Sequence, residues 1–242
     1  MQSTTVLLRD QTIAGEDFSR RKLDQFMAVN CVFEKCDFSG MAVKEFVFGG
    51  GKQLSTYVDC VFDGTRFTGT GADVAALRSC SFRGVRISKW ECRTVDLIDC
   101  TFTGTLRDCV FDGVPIPRLA EQRNKTANYI AGNDFSGCEL INVDFNAGID
   151  LAGQKLPAGP DYLWIADLAA AVTALSDPVA MAQWGQADPA GGRALVSFLT
   201  KMSAKGQDSF FTRVADYRKI FGAVTDSAVA YLRSQQLDQN AP

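Results

Sequence analysis

The chain has 242 residues, 46% of them hydrophobic and 22% charged, with a formal net charge of -3 and a pI of about 5.1. It contains no histidine, which excludes histidine-based triads, histidine general bases and mixed Cys/His zinc sites. No lysine- or arginine-rich run occurs, so direct nucleic-acid binding is not expected. Splitting the chain near Leu156 leaves two almost balanced parts, about -2 and -1, which argues against a strongly acidic surface. Met1–Arg9 lacks the basic start and apolar run of a secretory signal. The longest apolar stretches, such as Ala169–Leu175, are too short to span a bilayer. The expectation is a cytoplasmic protein, or one exported by a route that leaves no signal in the sequence, without a membrane partner.

From Ile13 onward apolar residues recur every five positions: Ile13, Phe18, Leu23, Ala28, Phe33, Phe38, Val43 and Phe48. A second run follows after a slip of four: Tyr57, Phe62, Phe67, Ala72, Leu77, Phe82, Ile87, Cys92, Leu97 and Phe102. A third is Phe111 and Ile116, and a fourth Phe135, Leu140 and Phe145. Two residues before most of these centres stands a small or apolar residue, as in the words Cys60-Val61-Phe62-Asp63-Gly64 and Cys80-Ser81-Phe82-Arg83-Gly84. Neither an amphipathic strand nor a helix has a period of five. The chain must turn a corner every five residues and point one large side chain inward at each; four such sides close a coil of twenty residues.

The eight cysteines are read from this pattern as buried thiols rather than disulfides. Ladder positions on successive coils cannot converge on a metal, and no Cys-x2-Cys spacing occurs. Gly49-Gly50-Gly51 lacks the Lys-Ser/Thr pair of a phosphate cradle. Asp37, Asp63, Asp99 and Asp112 flank inward residues and read as a solvated face. No catalytic group, cofactor or metal site is expected.

These words resemble the pentapeptide-repeat family, over about Ile13 to Leu156. The resemblance implies a mainly β fold, a right-handed quadrilateral parallel β-helix with a central Leu or Phe and a small residue two before it, both inward. The length predicts about six to seven coils. Residues 1–156 are assigned to this β-helix and residues 157–242 to an α-helical capping or interaction domain.

Breaks in register are the places to expect binding, because insertions bulge from a corner without breaking the stack. Gly49–Ser55 is one, Thr105–Asp108 reads as a second with four extra residues, and Pro115–Asn133 is the largest. Their polar residues, Lys52, Gln53, Arg107, Arg118, Glu121, Arg123 and Lys125, are the partner-binding candidates. Trp90 occupies a position where a small side chain is expected, with Cys92 as its small partner.

After Pro157-Ala158-Gly159-Pro160 the pattern reads as helix. Asp161 is placed as the cap of a segment to Leu175, Asp177-Pro178 and Asp188-Pro189 as two further starts, and Gly206 as a C-terminal stop. Asp208 opens a last segment with Phe210, Phe211, Val214, Tyr217, Ile220 and Phe221 at helical spacing. These helices can cover an open solenoid end or, through the last one, join two copies in a homodimer.

The expected function is a non-catalytic scaffold binding a protein partner through coil faces and corner loops. The family resemblance implies an immunity or accessory role beside bacterial toxins or secretion systems, or alternatively binding of a type II topoisomerase such as DNA gyrase as a DNA mimic. A third reading is an enzyme with a site among Asp161, Tyr162, Asp167, Arg193, Tyr217 and Arg218.

Overall fold

A five-residue period can bury one side chain per side only if successive coils align their centres, and in the computed structural model they do. Residues 4–69, 74–115, 117, 120–121, 125–146 and 148–238 are described. The chain divides into two units, Met1–Pro157 and Ala158–Pro242.

The first unit is a parallel β-solenoid. Its inward centres fall into four columns, one per face. On the face numbered fourth in chain order, parallel pairing aligns Ile13 with Phe33, Phe33 with Tyr57, Tyr57 with Leu77, Leu77 with Leu97 and Leu97 with Ile130. Six strands separated by five steps make five complete turns, with partial turns at both ends. The sequence expectation of six to seven coils counted residues that the two insertions use as loops.

The corners explain the fifth residue of each word. Apart from Gly51 in an insertion, each described residue with a left-handed backbone between Asp10 and Asn142 stands two positions after a centre. Examples are Asp59 (φ 53°) after Tyr57, Asp99 (φ 54°) after Leu97 and Gly64 (φ 69°) after Phe62. Glycine takes this conformation without steric cost, and Asn and Asp tolerate it best among the others. The corners therefore alternate between Gly, Asp, Asn and a few strained positions such as Lys35 and Lys89.

Inside, the first face carries a ladder of six rings. Phe18, Phe38, Phe62, Phe82, Phe102 and Phe135 stack with centroid distances of 4.9, 4.7, 4.6, 4.7 and 4.7 Å and interplanar angles of 11° or less. That step is the separation of neighbouring strands, so the backbone pitch itself sets the stacking distance. Shorter ladders, Phe33 on Tyr57 and Phe26 on Phe46, stand on other faces at 4.7 Å. Trp90 is buried against Phe48, stacked at 5.1 Å. Its room comes from Gly69, where an added Cβ would lie 2.6 Å from the Trp90 Cα.

Beside the rings runs the thiol column. The eight cysteines are unpaired and buried. The Sγ atoms of Cys60, Cys80 and Cys100 each lie 3.6 Å from a carbonyl on the preceding coil, those of Phe33, Tyr57 and Leu77. The column then ends in amides. Asn133 stands above Cys100, accepts from the Cys100 N–H at 2.9 Å and donates to the Leu97 carbonyl at 2.9 Å. Gln154 stands above Asn133; it accepts from the Asn133 side chain at 3.0 Å and donates to the Ile130 carbonyl at 3.0 Å. Both amides are buried, and they satisfy backbone groups where the ladder stops.

One register break differs from expectation. Phe102 to Phe111 does not hold four extra residues around Thr105–Asp108; it is two pentads short by one. Strand Thr101–Arg107 continues through it, Leu106 becomes the centre opposite Ile87, and a bulge between Phe102 and Gly104 takes up the missing residue. The expectation failed because a deletion and an insertion leave the same spacing between phenylalanines.

The second unit holds helices Leu168–Ser176, Pro178–Trp184, Pro189–Ala204, Val214–Phe221 and Val224–Ser234. The Asp177-Pro178 and Asp188-Pro189 starts hold, the Asp177 side chain accepting from the Val179 and Ala180 N–H groups and that of Asp188 from the Gly191 N–H, and Gly206 follows the third helix with φ 84°. Asp161 is not a cap. Tyr162–Ile165 is a strand paired antiparallel with Phe210–Arg213, and Asp167 caps the first helix instead. Phe210 and Phe211 likewise belong to that strand, Ile220 is exposed, and Gly222 (φ 74°) separates the last two helices. Aromatic and β-branched residues facing each other across two strands outweigh the helical spacing read from Phe210 onward. The last helix buries Val224, Ala228, Val229 and Leu232 in the core of its own unit.

Two outcomes follow from this packing. Replacing Phe82 by Ala removes one rung between two others and should lower stability by about 3–5 kcal/mol in urea unfolding, with Phe82→Leu costing much less. The thiols should stay silent toward an exposed-thiol reagent at pH 8. The hydrogen bond that the Cys80 thiol donates to Cys100 raises the Cys80 pKa to about 12 and lowers that of Cys100, and burial pushes Cys109 and Cys138 up to about 12, so the silence of Cys100 rests on its burial. All eight should react on denaturation, and fast labelling of any one in the folded chain would contradict the buried column.

Candidate functional site

Two insertions, distant in sequence, return to the fourth face. The first lies between Phe48 and Tyr57, nine residues where five would close the pentad. Its roots are tied into neighbouring coils: the Gly50 N–H donates to Ala28 at 2.7 Å and Val74 to Gly49 at 2.8 Å. The Tyr57 hydroxyl donates to the Phe48 carbonyl at 2.9 Å. A Cβ at Gly49 would lie 1.9 Å from the Val74 carbonyl oxygen, so only glycine lets these backbones meet. Between the roots, residues 51–54 are exposed.

The second insertion lies between Phe111 and Ile130, nineteen residues where five would do. Its return segment is anchored by a charge pair. Lys125 Nζ lies 2.8 Å from Asp96 Oδ1, with the two side chains only 12% and 8% exposed. The same carboxylate oxygen accepts from the Tyr129 N–H at 2.7 Å. Asn128 fixes the segment from the other side, its amide donating to the carbonyls of Arg93 at 3.0 Å and Asp112 at 2.7 Å. Arg93 is held charged by its hydrogen bond to Glu91 and by Asp112.

The insertions meet at a cleft of about 440 Å³ lined by Lys52, Gln53, Leu54, Asp96, Lys125 and Tyr129. Leu54 is 41% exposed and Tyr129 62%. The rim is therefore a leucine and a tyrosine set among a lysine, a glutamine and a nearly buried ion pair. Such a mixture offers apolar contact area with polar groups around it.

Of the seven candidate residues, Lys52, Gln53 and Lys125 come together here. Glu121 is exposed in the second insertion, and Arg118 and Arg123 lie outside the described residues. Arg107 is elsewhere, at the end of strand Thr101–Arg107 on the second face, in register with Ser88. Sequence reasoning missed Leu54, Asp96 and Tyr129. Asp96 and Tyr129 each precede an inward centre, a position that normally faces solvent, and only the return of Lys125 buries the carboxylate.

In the helical unit, three of the six residues singled out for an enzyme have structural roles of their own. Asp167 caps a helix, Arg218 pairs with Asp226, and Tyr217 packs in the core. Among the described residues there is no group of three or more Cys, Asp or Glu that could hold a metal ion, and no helix long and apolar enough to cross a membrane.

No protein-family model and no curated protein matches the chain. Among solved structures it is similar to two trypsin-treated forms of QnrB1, described as a plasmid-mediated fluoroquinolone resistance protein. One is 16% identical, with 62% of this chain and 79% of that chain covered and a TM-score of 0.21. The other is 17% identical, with 63% and 78% covered and a TM-score of 0.20. The solenoid is established by the chain's own register and ring ladders, with a five-residue period, a twenty-residue coil and a corner two after each centre, and a helical unit follows it in sequence.

Proposed function

We propose that the chain is a non-catalytic scaffold that binds a protein partner at the fourth face of its solenoid, through the cleft between the two insertions. The carrying observation is their convergence: loops separated by more than fifty residues in sequence place Leu54 and Tyr129 on one cleft with Lys52 and Gln53 beside them. A solenoid holds such loops at fixed spacing without spending core residues on them. Lys125 and Asp96 serve this site by holding its shape, while Lys52, Gln53, Leu54 and Tyr129 touch the partner. The setting we favour is an immunity or accessory protein of a bacterial toxin or secretion system, acting in the cytoplasm, with the helical unit as a further interaction domain.

The test is capture of a partner from the native lysate by the immobilised chain, repeated with Lys52-Gln53-Leu54 replaced by Gly-Ser-Gly and with Tyr129→Ala. An aromatic anchor at an interface centre is worth at least tenfold in affinity, so both variants should lose the partner. Undiminished capture by both would refute the cleft as the binding site. A partner that proves to be DNA gyrase would replace the toxin setting with the topoisomerase one.

The ion pair makes a separate prediction. Removing one member of a buried pair strands the other and costs about 3–5 kcal/mol, whereas an apolar replacement of both costs far less. Lys125→Met should therefore loosen residues 125–131, seen as faster amide exchange there, and Lys125→Met with Asp96→Leu should restore part of the protection.

A further inference from the structure

The second face, opposite the cleft, carries a groove of about 890 Å³. Its outward residues include one cation on each of four successive coils: Lys22, Lys44, Arg66 and Arg86. Lys44 pairs with Asp24. Arg66 and Arg86 are exposed and directly in register on adjacent strands; among the described residues neither makes an ion pair. Like charges placed opposite each other destabilise a sheet, so this arrangement costs energy until an anion lies between them. Two positions along, Thr68 and Ser88 are also in register, their hydroxyls 3.3 Å apart. Arg107 continues the Thr68–Ser88 column one coil further.

We propose that this groove binds an acidic, extended segment of a protein, with Arg66 and Arg86 as its principal carboxylate contacts. The reasoning is dimensional. Four coils span three steps of about 4.8 Å, roughly 14 Å in all. Carboxylates on one side of an extended peptide recur about every 6.8 Å, so two or three of them meet the four cations. Guanidinium groups take carboxylates in a two-pronged geometry that lysine cannot match, and the flanking hydroxyls donate to the remaining lone pairs. A duplex or long single strand is disfavoured. Nucleic-acid affinity comes from neutralising many phosphates at once, and this chain has a net charge of -3 with Asp24 inside the groove.

The experiment is fluorescence anisotropy of the full chain with a labelled ten-residue peptide of alternating Glu and Thr, its Gln-for-Glu counterpart, and a ten-nucleotide thymidine strand. The Glu peptide should bind and the other two should not, and binding should weaken at least tenfold between about 50 mM and 500 mM salt. Arg66→Glu with Arg86→Glu should abolish it, and Arg66→Gln with Arg86→Gln should weaken it about tenfold, with neither variant melting lower than the parent chain and the double Gln variant melting higher. Replacing Lys52-Gln53-Leu54 should leave peptide binding intact, which separates this surface from the cleft. Failure of the Glu peptide to bind, equal binding of the Gln peptide, preference for the thymidine strand, or full affinity in the double Gln variant would each overturn the proposal.

Discussion

The structure of the solenoid depends on one coincidence of lengths. Adjacent strands lie 4.7–4.9 Å apart, and aromatic rings in parallel contact want nearly the same separation. A phenylalanine at the same place in every coil therefore stacks on its neighbours without strain. Six rings from Phe18 to Phe135 do so within 11° of parallel. Register follows from the ladder, since a slip of one residue would turn each ring outward. Loops and deletions are then admissible only where they return the next centre to its column.

That condition is met in two ways. The loops at 49–55 and 112–129 leave a corner and come back on the same face, so Phe38 still lies beneath Phe62 and Phe102 beneath Phe135. The shortened pentad before Leu106 instead uses a bulge. Gly104 there has φ 102°, and a Cβ would lie 2.3 Å from the Val85 carbonyl oxygen, so the missing residue is absorbed by a position only glycine can occupy. Where the repeat is kept the chain has no freedom, and where it is broken the loops acquire a fixed address.

The period in the sequence was enough to read the solenoid, because most inward centres are large apolar residues and many of the positions two before them are Cys, Ala or Val. Lys52, Gln53 and Lys125 were legible as loop residues for the same reason, since they interrupt the period. Their meeting was not legible. It depends on both loops leaving the fourth face, and that requires counting corners through the break between Phe102 and Phe111, where the spacing hides a deletion. The charge pair of Asp96 and Lys125 was hidden too, because Asp96 occupies a position that faces water on most coils. In the helical unit the Asp-Pro starts announced two helices through local capping chemistry, whereas the pairing of Tyr162–Ile165 with Phe210–Arg213 is a long-range contact with no local signal.

The thiol column shows why its residues change along its length. A thiol two before a ring fills a small space and donates weakly to a carbonyl of the preceding coil, which is sufficient while another coil above takes the remaining backbone groups. At the last turns no full coil follows, and buried N–H and C=O groups need stronger partners. Asn133 and Gln154 stand at those places in the same column; Asn133 bonds back to Cys100 and Leu97 and forward to Gln154, and Gln154 bonds back to Asn133 and Ile130. The interior is thus uniform where coils repeat and polar where they stop. Outside, no such constraint acts, so the second face could collect cations and the fourth a cleft. Arg66 and Arg86 stand in register at exposed positions of that second face, where the inward ladder sets their spacing but not their charge.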